Sequence, residues 1–188
     1  MSIFKRNALA LIPALAPAVL LAACASADTT TGAPPGKGPG LGQPVSAAEI
    51  ALLDISIPPS GAGLPAGSGD ARAGAKVYVA KCQACHGDKG TGKPADPLVG
   101  GKGTLASPSA VRTVGSYWPY ATTLFDYTRR AMPTTAPRSL TDDEVYAVTA
   151  YVLHLNGIIS ETHTLNAQTL PAVKMPNRDG FVDHSNRR

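Results

Sequence analysis

Apolar and polar positions divide the chain into four stretches of different character. Residues 8–23 form an apolar run broken by Pro13 and Pro17 and preceded by Lys5 and Arg6; the run is too short to span a membrane, and residues 1–23 are ordered like a secretory signal. Residues 24–68 turn to Gly, Pro, Ala, Ser and Thr, a composition that buries too little apolar surface to fold and reads as a tether. A flexible chain of about 45 residues has a reach of roughly 35–40 Å. One island within it, residues 48–57, carries Ile50, Leu52, Leu53, Ile55 and Ile57; it is too apolar for a free linker and should dock on this domain or on a partner.

Helical spacing governs the third stretch, residues 69–157. Thr141-Asp142-Asp143-Glu144 is a capping box, Val145, Val148, Val152 and Leu155 recur on one helix face behind it, and Asn156-Gly157 stops the run. Upstream, Asp70 reads as the N-cap of a helix running into Cys82, with Val77, Tyr78 and Ala80 as apolar contacts. Gly74 lies inside that helix, where glycine costs about 1 kcal/mol relative to alanine, so a close helix crossing is expected there. Residues 119–130 read as a helix with proline in its first turn, running into Ala131-Met132-Pro133. The intervening residues 87–116 are rich in Gly and Pro, as in a chain wrapped round a prosthetic group rather than its own core. The fourth stretch, residues 158–188, has polar, proline-containing segments with scattered apolar residues and is expected as an extended arm.

The charge balance excludes one class of partner. The 188 residues carry a formal net charge of +4, with 17 Lys and Arg against 13 Asp and Glu; losing Lys5 and Arg6 with the leader leaves +2. No cluster of basic residues interleaved with aromatics supports nucleic-acid binding.

The chemistry centres on Lys81-Cys82-Gln83-Ala84-Cys85-His86-Gly87, a C-x-x-C-H run, which is the attachment signature of c-type haem. Cysteines three apart on a helical turn present both thiols to one edge of a porphyrin, and the adjacent His86 points its imidazole at the iron. A zinc half-site would need another pair of soft ligands, and a redox pair does not call for the histidine. The remaining cysteine, Cys24, ends Leu21-Ala22-Ala23-Cys24, which resembles a bacterial lipobox. In that reading Cys24 receives diacylglycerol and becomes the first residue of a periplasmic lipoprotein, held stably on a membrane by two or more acyl chains. Ordinary cleavage after Ala25-Ser26-Ala27, which would discard Cys24, is the competing reading.

A haem iron held by His86 needs a sixth ligand or an open site. Met132, in a Met-Pro loop between two helices, is the favoured ligand; Met175, also followed by proline, His154 and an open site are the alternatives. Met/His ligation favours ferrous iron and closes the sixth position, which suits one-electron transfer rather than catalysis by this chain itself. Tyr117, Trp118 and Tyr120 would either line the haem edge or fill the core, and Arg129 and Arg130 would either meet a propionate or an acidic partner or form a solvated helix face.

Helix, C-x-x-C-H, loop with Pro97-Leu98, helix, Met-Pro and capped final helix together resemble a class I c-type cytochrome over about residues 69–157. The resemblance implies an all-α fold of three to five helices around one covalent haem c. It also implies that the Pro97 carbonyl accepts the His86 Nδ1 proton, that Leu98 packs on the ring, and that Gly74 meets the final helix near Tyr151. The lesser alternative for Pro97 is a simple loop turn.

Longer stretches narrow the likeness. Ser60-Gly61-Ala62-Gly63-Leu64-Pro65-Ala66-Gly67-Ser68-Gly69, Gly115-Ser116-Tyr117-Trp118-Pro119-Tyr120-Ala121-Thr122-Thr123-Leu124-Phe125-Asp126-Tyr127, Arg129-Arg130-Ala131-Met132-Pro133 and Met175-Pro176-Asn177-Arg178-Asp179-Gly180-Phe181 are similar to the cytochrome subunit of sulfite and sulfane dehydrogenases. In that family a molybdopterin subunit oxidises the sulfur compound and the haem subunit takes the two electrons one at a time. Some sulfane-branch members carry two haems, so the single motif here favours the sulfite branch. Lipid anchoring is not required by the family. The resemblance implies a molybdopterin-containing dehydrogenase subunit as donor and a downstream cytochrome or oxidase as acceptor. The alternatives are a free-standing, membrane-tethered shuttle to a terminal oxidase and a haem peroxidase or ligand sensor.

Overall fold

The computed structural model describes residues 42–182; the leader, Cys24 and the first part of the tether lie outside the described residues. Among the described residues are five α-helices: α1 (Ala47–Leu53), α2 (Ala71–Lys81), α3 (Gln83–His86), α4 (Ala121–Ala131) and α5 (Asp142–Leu155). Single 3-10 turns fall at Asp88–Gly90 and Leu170–Ala172. Two short strands, β1 (Ser68–Gly69) and β2 (Leu165–Asn166), pair antiparallel with Ser68 opposite Asn166. The fold is all-α, and four of these helices, α2 to α5, lie within residues 69–157, inside the expected range of three to five.

Helix α5 is central because almost every side of it is apolar and covered: Val145, Tyr146, Ala147, Val148, Ala150, Val152 and Leu153 are all buried. Its start carries the expected capping box, in which the Glu144 amide donates to Thr141 Oγ1 and the Thr141 amide to Glu144 Oε2. Helix α2 crosses α5 at Gly74, where an added Cβ would fall inside the Ala147 carbonyl group and 2.8 Å from Tyr151 Cβ. The glycine is there because backbone meets backbone. Gly69, in β1, makes a second close approach to the same residue, with an added Cβ 2.5 Å from Ala147 Cα. Tilted ring pairs flank the crossing, Tyr78 on Tyr151 at 5.2 Å and, from α4, Phe125 on Tyr146 at 4.5 Å.

The segments outside residues 69–157 are laid on these helices. Ile57 is buried, and its amide donates to Asp126 Oδ1 on α4 at 2.8 Å. Thr122 Oγ1 donates to the Pro59 carbonyl and Tyr146 Oη to that of Pro65. Only α1 stands clear: Ser46 and Glu49 form a capping box, yet Ile50, Leu52 and Leu53 are 52%, 77% and 71% exposed. The island therefore divides, its end at Ile57 docking on this domain and its helix leaving an apolar surface uncovered.

Over its described residues, 158–182, the C-terminal arm has the expected extended, mostly irregular backbone, but it is anchored on the helices. Leu165 and Leu170 are fully buried, Val173 and Met175 nearly so, and each such side chain contributes roughly 1.5–3 kcal/mol of apolar burial. Its end is held by Arg178 over the Tyr120 ring at 4.3 Å and by Asn177 Nδ2 donating to the Tyr117 carbonyl at 2.7 Å. Met175 thus fills core space.

Substituting Gly74→Ala is expected to destabilise the domain by at least about 1–2 kcal/mol, overpacking of the crossing outweighing the ~1 kcal/mol gain in helix propensity. Because the obstacle is the Ala147 backbone, Ala147→Gly should not rescue it. Denaturant midpoints of the three variants check both points.

Candidate haem-attachment site

Helix α2 ends at Cys82, whose backbone (φ −125°, ψ −36°) is both the C-cap of α2 and the N-cap of α3. Its amide donates to the Tyr78 carbonyl at 2.9 Å, and its carbonyl accepts from the Cys85 and His86 amides at 3.1 and 3.0 Å. One tight turn therefore presents Cys82, Cys85 and His86 together. Both cysteines are free thiols; Cys85 is exposed, whereas burial pushes the half-buried Cys82 thiol up to about 11. Gly87 closes the turn at φ +74°, where any side chain would strike the Gly92 carbonyl.

The His86 ring is oriented by the following loop. Its Nδ1 lies 3.1 Å from the Asp96 carbonyl oxygen. A carbonyl only accepts, so Nδ1 carries the proton and Nε2 keeps a free lone pair for a metal. The acceptor is thus Asp96, one peptide before the expected Pro97. The register follows from backbone bonds on either side: Ala95 donates to the Cys85 carbonyl at 2.9 Å and Leu98 to that of Gly90 at 2.9 Å, which turns the Asp96 carbonyl toward the ring. Leu98 is half-buried against the core. Its carbonyl accepts from Asn156 Nδ2 at 3.1 Å, so the residue that stops α5 also pins the loop.

The remaining residues of this loop are stapled by buried hydroxyls. Thr113 Oγ1 donates to the Gly100 carbonyl at 2.6 Å and Ser116 Oγ to that of Val111 at 2.6 Å. Trp118 is half-buried, edge-on to Tyr127 at 5.9 Å. Tyr117 instead faces the arm, edge-on to Phe181 at 5.2 Å with Arg112 over its ring. Met132 is the C-cap of α4, half-buried, its amide donating to the Thr128 carbonyl. Arg129 and Arg130 are occupied within the domain: Arg129 Nε meets Asp142 Oδ1 at 2.9 Å, and Arg130 Nε meets the buried Asp126 Oδ1 at 3.0 Å.

This donor set fits haem c: two unbridged thiols and an imidazole with its Nε2 free share one turn, and a half-buried thioether lies at the end of a separate helix. A family model described as cytochrome c oxidase, cbb3-type, subunit III matches residues 69–152. The chain belongs to the c-type cytochromes, an electron-transfer family whose cofactor is covalently bound haem c. It is similar to a chain in the crystal structure of the sulfane dehydrogenase SoxCD from Paracoccus pantotrophus, at 38% identity and a TM-score of 0.72, over 78% of this chain and 72% of that one. No curated protein matches the chain.

Lys81, beside the turn, donates from Nζ to Glu144 Oε1 at 2.8 Å and ties the end of α2 to the start of α5. That ammonium, and next the Thr141 amide, hold the Glu144 carboxyl below its ordinary 4.5. A lowered folded-state value means the stabilisation is fully present above pH 4.5 and is lost as pH falls through it toward the lowered value. Glu144→Gln should therefore flatten the acid side of the stability curve and leave its neutral slope unchanged, as read from urea midpoints against pH.

Proposed function

We propose that this cytochrome is the electron-accepting haem subunit of a molybdenum-containing dehydrogenase acting on sulfite or a related sulfur compound. One observation carries the reading: the likeness to the SoxCD chain spans 78% of the sequence, well beyond the haem domain at 69–152, so it includes flanking segments that a free haem carrier does not need.

In this reading Cys82 and Cys85 would hold the haem by thioethers, and His86 and Met132 would ligate its iron. The haem supplies a reversible one-electron couple. His86, its Nδ1 proton committed to Asp96, presents Nε2 as a fixed, basic donor. Met132 would supply a soft thioether donor that favours the ferrous state. Leu98 and Trp118, both half-buried against the core, would shield the ring from water, and Tyr117 braces the arm through Phe181. The mature protein is periplasmic and tethered through lipidated Cys24; among the described residues no helix is long and apolar enough to cross a membrane.

A second reading, a tethered shuttle to a terminal oxidase, is favoured by the description of the family model and differs only in its partner. Sulfite-driven haem reduction in protein purified gently from its native membrane, set against the isolated recombinant chain, separates the two. The dehydrogenase reading expects rapid reduction only in the native preparation, with molybdenum copurifying; it fails if sulfite and sulfane-bearing thiols both leave a dithionite-reducible haem oxidised.

Replacing Met132→His should lower the midpoint potential by more than one tenfold step in the redox equilibrium, ~59 mV for a one-electron couple, and Met132→Ala should open the iron to carbon monoxide. Met175→Ala should cost stability and leave both properties unchanged. For the partner surface, substituting Ile50, Leu52 and Leu53 together by serine should weaken association with the molybdenum subunit at least about tenfold, as loss of an apolar interface anchor does, without altering the haem spectrum.

A further inference from the structure

Tyr78 lies on α2 four residues before Cys82, is 1% exposed, and donates from its hydroxyl to the Gly87 carbonyl at 2.9 Å. Ring packing alone does not require that hydroxyl, since the tilted contact with Tyr151, centroids 5.2 Å apart, is made by the rings. The carbonyl it binds belongs to the residue covalently after His86. The same carbonyl accepts from the Gly90 amide at 3.3 Å, the Gly90 carbonyl accepts from Leu98 at 2.9 Å and Val99 at 3.2 Å, and two residues before Leu98 the Asp96 carbonyl meets His86 Nδ1. A closed circuit of backbone bonds therefore starts at His86 and returns to its imidazole. The Tyr78 hydroxyl is the side-chain bond that fastens the circuit to helix α2. Burial pushes this phenol up to about 12, so it remains a proton donor throughout the neutral range.

We propose that Tyr78 is a positioning residue for the axial histidine: its hydroxyl, through the 87–98 circuit, sets the strength of the hydrogen bond from His86 Nδ1 to Asp96. The inference rests on His86 being the iron ligand. A firm Nδ1 bond makes the imidazole a stronger donor, which favours ferric iron; a loosened one favours ferrous iron and raises the potential.

The test is Tyr78→Phe in the full-length holoprotein, with Tyr151→Phe as the control that removes a hydroxyl from the other ring of the stack. Tyr78→Phe should keep covalent haem and shift the redox equilibrium toward the reduced form by roughly threefold to tenfold, less than the ~10–100-fold effect typical of losing a direct partner of a metal ligand. Tyr151→Phe should leave the potential unchanged. A lowered melting temperature with an unaltered potential in Tyr78→Phe would reduce the hydroxyl to a packing role and overturn the inference. Should that variant not retain haem, hydrogen exchange in the wild-type ferrous protein decides. Protection of His86 Nδ1–H equal to that of the Gly90 and Leu98 amides supports one circuit, and exchange faster than both by more than about tenfold refutes it. Wild-type chain purified without covalent haem would instead overturn the ligand reading itself.

Discussion

The close crossing of α2 and α5 is the constraint on which the other elements depend. At Gly74 the two backbones approach until no side chain fits between them, and the Ala147 carbonyl occupies the space a Cβ would need. A crossing this tight leaves α2 little freedom to slide or rotate, because every register but one places a side chain where Gly74 sits. The end of α2 is Cys82, so the crossing fixes where the Cys-Cys-His turn leaves the helix. The Lys81–Glu144 pair and the Tyr78–Tyr151 ring contact hold the same two helices, their α5 residues lying before and after Ala147. Attachment chemistry needs both thiols at a set spacing on one edge, and a short kinked turn at the end of an immobilised helix supplies that.

Past the turn, order comes from hydrogen bonds rather than regular structure. Between Thr91 and Tyr120 there is no helix or strand, yet the segment is fixed by bonds that reach back to the turn and forward to α5. Buried Thr113 and Ser116 serve as internal caps for backbone groups that no ladder satisfies. The three glycines that follow Asp88, Gly90, Gly92 and Gly100, all take positive φ. Such a loop can approach a flat prosthetic group along its length while leaving few of its own polar groups unpaired.

What could be read from the sequence follows from the range of the interactions involved. The C-x-x-C-H turn, the Thr141–Glu144 capping box and the Gly74 crossing each depend on residues close in the chain or on one backbone requirement, and each was legible. The acceptor for His86 was placed one residue late, at Pro97, because the register of an irregular loop is fixed by distant pairs, Ala95 with Cys85 and Leu98 with Gly90, that leave no periodic trace. The arm was legible as extended but not as docked, since isolated apolar residues such as Leu165, Leu170 and Met175 show no spacing that predicts their partners. Arg129 and Arg130 offered themselves for propionates or partners; only the fold shows that Asp142 and Asp126 already hold them.

Asp126 explains why the flanking segments belong to the same physical unit as the haem turn. Its carboxylate, 11% exposed, accepts from the Ile57 amide and is matched by Arg130 one turn on. A buried charge with two such partners is costly to separate from either, so the approach of the N-terminal segment is tied to the position of α4. Helix α4 is itself held on α5 by Phe125 against Tyr146 and by Arg129 against Asp142, and it ends at Met132. The placement of the methionine thus depends on both the central helix and the segment that leads out to α1. Because α1 alone among the described α-helices has every residue exposed, a partner that seats on it would act on a segment fastened to α4 rather than on a loose tether. The segment that leads out to α1 and the helix that ends at Met132 are therefore connected through the buried Asp126 carboxylate.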